Sequence, residues 1–158
     1  MTFIQGRAPF GQLILRVIAA AGLAVDAYVH ADLASGFDAN GTSTISQGQL
    51  FRVQAGLAAL AALLVLVNGR RLASAFALVI SLSALGALLL YRYVDVGSLG
   101  PLPNMYEPVW YTEKTVTAVA EGIAAVASAV LLAAQLVPRR ARNVPDVPVY
   151  GERRQGKV

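Results

Sequence analysis

Apolar residues along this chain collect in four runs, Leu13 to His30, Leu50 to Asn68, Leu72 to Tyr91 and Thr115 to Val137, with polar stretches between them. Each run approaches the roughly 20 residues that, rising about 1.5 Å apiece, cross a hydrocarbon core of about 30 Å. The pattern predicts an all-α integral membrane four-helix bundle, with one compact domain over residues 1–138 and no internal repeat. Only Asn68-Gly69-Arg70-Arg71 separates the second run from the third, so those two helices are expected to be antiparallel neighbours. The connection 32–49 is polar and rich in Gly, Ser, Thr and Asn. The connection 93–114 mixes Gly97, Gly100, Pro101, Pro103 and Pro108 with Tyr106, Trp110 and Tyr111, which predicts a kinked aromatic loop folded back on the membrane surface, read either as an interfacial aromatic belt or as a cap over an outward-facing cavity.

Inside the runs, polar residues recur at helical spacing. Lys114, Glu121, Ser128 and Gln135 form one stripe, flanked by Ala118, Gly122, Ala125, Ala129 and Leu132; Arg16, Leu23, Asp26 and His30 form another. Ser74, Ser81 and Arg92 share a line in the third run, and Arg52 stands above Gly56, Ala59 and Leu63 in the second. A charge facing lipid at mid-bilayer costs about 2.5–3.5 kcal/mol, so the stripes are expected to face inward and meet. The candidate polar cluster is therefore Asp26, His30, Arg52, Arg92, Glu113, Lys114 and Glu121, with Tyr106, Trp110 and Tyr111 as its cap. Matching Arg52, Arg92 and Lys114 against Asp26, Glu113 and Glu121 gives two readings: ion pairs that fix helix order, or a pocket for a headgroup, quinone, small solute or proton. Arg16 is expected to reach headgroups. The 28 alanines and Gly22, Gly56, Gly86 and Gly122 allow close helix approach.

Composition narrows the chemistry. Of 158 residues 56% are hydrophobic and only 14% charged, against about a quarter charged in soluble domains. With no cysteine and one histidine, the chain by itself forms no disulfide, thiolate metal site, c-type haem or bis-histidine haem. No Walker loop, GxGxxG, HExxH or GxSxG occurs, so no catalytic residue, cofactor or metal is expected.

The net charge of +4 is distributed as in a membrane protein rather than a nucleic-acid binder. Arg7, Arg70, Arg71 and the basic residues of 139–158 fall on one side of the runs, while Asp32, Asp38, Asp95, Glu107 and Glu113 fall on the other. The positive-inside rule then places both termini in the cytoplasm and the two long loops outside the plasma membrane, with 139–158 a disordered basic tail against anionic lipid. A cleaved signal peptide ending near Val29-His30-Ala31 is the alternative for the first run; Asp26 and the even span count argue against it.

The layout, with the loop Leu99-Gly-Pro-Leu-Pro-Asn-Met-Tyr-Glu-Pro-Val-Trp-Tyr-Thr-Glu-Lys before the last run, resembles small uncharacterised bacterial four-helix membrane proteins, and in span count is similar to DoxX-like proteins. The resemblance implies a multi-pass bundle and carries over no functional residue. The function expected is a non-enzymatic accessory subunit or lipid- or small-ligand-binding bundle. The alternative is a small proton-coupled transporter or redox-accessory membrane enzyme, acting as an oligomer. Expected partners are the bilayer and another membrane subunit or second copy.

Overall fold

The computed structural model describes residues 10–42 and 44–137. Four long helices account for most of them: α1 Phe10–Leu33, α2 Gln47–Val67, α3 Arg71–Tyr93 and α4 Thr112–Leu136. A 3₁₀ turn, Ala34–Phe37, extends α1, and no strand occurs among the described residues. All four helices are long and apolar enough to cross a membrane. The basic tail 139–158 and the segment containing Arg7 lie outside the described residues.

Helices α1, α2 and α4 begin about a turn before the apolar runs, and the first backbone N–H groups of a helix need partners from outside its own ladder. At α2 this is a capping box: Ser46 Oγ accepts from Gln49 N–H at 3.1 Å, and Ser46 N–H donates to Gln49 Oε1 at 2.9 Å. Around the bundle the order is α1, α2, α3, α4, with α4 closing back on α1 and α1 diagonal to α3. The expected antiparallel pairing of α2 with α3 is present.

The interior is small and partly polar, with Ala19, Leu23, Ala58, Ala61, Val65, Ala77, Ala124 and Leu131 at its centre beside Asp26, Ser74, Ser81, Glu121 and Ser128. Larger side chains point outward, among them Leu13, Val17, Val53, Leu63, Val79, Val119 and Val126. Close packing depends on Gly22, where an added Cβ would stand 2.7 Å from the Ala120 carbonyl oxygen of α4. Gly56, Gly86 and Gly122 have nothing within 4 Å of such a Cβ, so of the four glycines expected to serve close approach only Gly22 does so.

Each end of the bundle is tied differently. At the short-turn end Gly69 takes φ +51°, and a side chain there would collide with Arg16. Arg16 donates from Nε to the Val65 carbonyl at 3.0 Å and from Nη2 to that of Leu66, so it caps free carbonyls at the short-turn end of α2. Gln135 donates to Gly69 O at 2.9 Å and Ser74 Oγ at 3.1 Å. At the opposite end the two long loops bind each other: Thr42 Oγ1 donates to Pro101 O at 2.8 Å and Asn40 Nδ2 to Asn104 O at 3.0 Å. The second loop also folds back on α3 through Glu107 N–H to Tyr91 O at 3.0 Å.

Candidate functional site

Beneath these joined loops, three helices bring polar side chains together. Asp26 of α1 is completely buried, and His30 follows one turn later on the same face. Glu121 of α4 is 1% exposed, and Gln54 enters from α2. Gln54 Nε2 donates to Asp26 Oδ2 at 2.9 Å. His30 Nδ1 lies 2.6 Å from Asp26 Oδ1 and 3.0 Å from the Asp26 carbonyl oxygen. A carbonyl only accepts, so Nδ1 carries the proton in this arrangement and Nε2 is the basic nitrogen when the ring is neutral. The ring edge packs on Phe51 at 5.1 Å, which fixes its plane.

A ring nitrogen of His30 and carboxylate oxygens of Asp26 and Glu121 all lie within 4.8 Å of one another. Both Glu121 oxygens lack a hydrogen-bond donor, as does Asp26 Oδ1, whose neighbour Nδ1 is close but poorly aligned. Two bare carboxylates side by side in an apolar interior repel, so the arrangement calls for a shared proton or a cation.

A cavity of about 570 Å³ adjoins the cluster. Its walls are mostly apolar, with Leu33, Phe37, Leu50, Phe51, Ala87 and Leu88 among them, and Met105 and Tyr111 come from the loop. Its polar groups include His30, Gln54, Tyr91, Glu107, Lys114 and Thr117, with Gln47 and Ser83 beside them. His30 and Gln54 both line the cavity and both contact Asp26, linking the open space to the buried carboxylates. A concave apolar wall with a few convergent polar groups is the usual form of a small-molecule site.

The cations expected to neutralise the cluster go elsewhere. Arg52 is half exposed and forms a bidentate pair with Asp38, both contacts 2.7 Å, because it lies on the outer face of α2. The inward face of that helix is Gln54, Ala58, Ala61 and Val65; the line Gly56, Ala59, Leu63 faces out. Arg92 stacks on Tyr93 at 5.0 Å and Trp110 at 5.5 Å. Lys114 donates to the Glu107 carbonyl at 2.7 Å and sits 5.0 Å from the Tyr111 ring. Glu113 is exposed.

Of the seven expected cluster residues, Asp26, His30 and Glu121 meet, Lys114 lines the adjoining cavity, and Arg52, Arg92 and Glu113 stand apart. Of the expected cap, Tyr111 lines the cavity, whereas Tyr106 and Trp110 are not part of its wall. Burial, aided by the charges of Glu107 and Glu113, pushes the Tyr111 phenol above its usual range, so it is a neutral hydrogen-bonding group at physiological pH. Gln54 is the partner that charge-led reasoning passes over, although its spacing to Ala58, Ala61 and Val65 marks the inward face.

No family model, curated protein or solved structure matches this chain.

Proposed function

We propose that this protein is a multi-pass membrane bundle that binds a small amphiphilic molecule in the cavity beneath its long loops. The observation that carries the reading is the cavity of about 570 Å³, within the roughly 300–1,000 Å³ typical of small-molecule sites, with His30, Gln54, Lys114 and Thr117 among its polar contacts. An apolar ring or short chain fits against Phe37, Phe51 and Leu88, while a carbonyl, hydroxyl or phosphate-like oxygen meets the donors.

Membrane insertion is supported by the four apolar helices and by the inversion of side-chain size, Ala and Ser within and Leu and Val without. Arg16, Arg70 and Arg71 lie at the short-turn end, whereas Asp32, Asp38, Asp95, Glu107 and Glu113 lie at the long-loop end. The positive-inside rule thus favours a plasma-membrane orientation with the short turn and both termini cytoplasmic and the cavity on the outer side. The protein serves as a ligand-binding or accessory subunit, alone or beside a second membrane chain, and no catalytic residue is assigned.

The adjacent Asp26 and Glu121 carboxylates favour a second reading, proton-coupled passage of a small solute. Native mass spectrometry of the full-length protein in nanodiscs tests the first. One small molecule retained per chain, distinct from the bulk lipids, is expected; a chain carrying only bulk lipid contradicts ligand binding. Solute uptake into proteoliposomes driven by an imposed pH gradient would instead support the second.

A further inference from the structure

Gln54 gives Asp26 one hydrogen bond and His30 Nδ1 stands 2.6 Å from its Oδ1, but Glu121 beside them has neither a donor nor a cationic partner. Both oxygens of Glu121, which is 1% exposed, and Oδ1 of Asp26, 0% exposed, have no hydrogen-bond donor. Buried polar atoms in native proteins are overwhelmingly satisfied, so three such oxygens in one place need a physical reason. The arginine and lysine side chains of this end of the bundle make their contacts elsewhere: Arg52 with Asp38, Arg92 with two aromatic rings and Lys114 with the Glu107 carbonyl. An architectural ion-pair network would have paired Glu121 as well as Asp26.

We propose that Asp26, His30 and Glu121 form a binding site for one divalent cation of the zinc class. The donor set is two carboxylates and one imidazole from two packed helices, each offering an atom within 4.8 Å of the others. Small side-chain rotations bring such atoms onto one ion at the usual distances of about 2.0–2.2 Å. Imidazole with carboxylate suits Zn²⁺, Mn²⁺ or Fe²⁺ rather than the all-oxygen shells of Mg²⁺ and Ca²⁺. Two carboxylates match the ion's charge, leaving the buried site neutral when His30 is neutral, its ligating nitrogen being either Nε2 or Nδ1 once the proton has moved to Nε2.

A separate observation points to an open coordination position. The Thr117 hydroxyl, one turn before Glu121 on α4, is 3% exposed and without a partner, and Thr117 lines the cavity. It can hold a water or a ligand oxygen, as the fourth position of a three-residue zinc site requires. Gln54, hydrogen-bonded to Asp26, holds that carboxylate in place, the outer-partner role common around metal ligands. The site stands independently of the proposed amphiphile, because the metal alone is the probe.

The test uses full-length protein in nanodiscs, stripped with a chelator and titrated with Co²⁺ and then Zn²⁺. One equivalent of Co²⁺ per chain, with a visible ligand-field spectrum that Zn²⁺ abolishes, is expected. Affinity should fall on acidification, since protons compete for the same donors. Glu121→Gln and His30→Gln should each weaken binding by at least about tenfold, the loss that removing even an outer partner brings. Asp38→Asn, which alters the exposed pair with Arg52, should leave it unchanged. Failure of wild-type protein to retain either metal overturns the site whether or not the variants fold. Equal affinity in folded Glu121→Gln and wild type overturns it as well.

Discussion

Which polar contacts stabilise this protein depends on their burial. Gln54→Ala leaves Asp26 Oδ2 without its donor inside the bundle, a loss expected to cost roughly 1–3 kcal/mol in detergent unfolding. Arg52→Ala breaks a well-formed but exposed pair and should shift the unfolding midpoint far less. The Arg52 guanidinium, hydrogen-bonded to Asp38, holds that carboxyl below its ordinary value of 3.8, with partial burial opposing it. A carboxyl lower in the folded than in the unfolded state contributes stability above its unfolded value and loses it as pH falls through its folded one. Melting temperatures of wild type and Asp38→Asn should therefore differ by a constant small amount from neutral pH down to about 4, then converge in stronger acid. A difference that instead grew on acidification would contradict the pairing. Asp26, His30 and Glu121 were legible as inward residues because a buried charge in an apolar run has few places to go. Their partners were not, because opposite charges at similar depth look pairable in one dimension, while a long arginine side chain settles wherever its own helix face points.

Helices repeat the lesson through their faces. The seven-residue spacing of Lys114, Glu121, Ser128 and Gln135 identified the inward line of α4, since four polar residues in an apolar run leave little freedom of rotation. In α2 Arg52 was the conspicuous residue and drew the assigned face away from the true line of Gln54, Ala58, Ala61 and Val65. Small residues were equally ambiguous, since Gly and Ala occur on both faces and only the crossing of α1 with α4 shows which glycine is essential. Gly22→Val should thus cost about 1–3 kcal/mol by forcing that crossing apart. Gly122→Ala, with open space at its Cβ, should stabilise by about 0.5–1 kcal/mol through helix propensity. Unfolding of both variants in the same detergent checks the pair. Equal effects at the two positions would mean that α1 and α4 do not approach as described.

The helix count, the approximate boundaries and the distinct character of the two ends were legible in the sequence, because hydropathy sets them directly. The cavity was not, since its wall is assembled from all four helices and from the second of two loops that join through Thr42, Asn40, Pro101 and Asn104. Orientation is checked by single cysteines at Ser98 in the long loop and Asn68 in the short turn. A membrane-impermeant reagent should label Ser98→Cys in intact cells and Asn68→Cys only after permeabilisation; the reverse pattern would invert the molecule. The central claim is that the cavity is a binding site rather than a packing gap, and filling it is the most direct test. In nanodiscs, wild type, Ala87→Trp on the cavity wall and Val126→Trp on the outer surface of α4 would be compared for the small molecule each retains per chain. The account predicts one retained molecule in wild type and Val126→Trp, and its loss from an Ala87→Trp protein that still melts cooperatively. Equal retention by all three, or none in wild type, would contradict it.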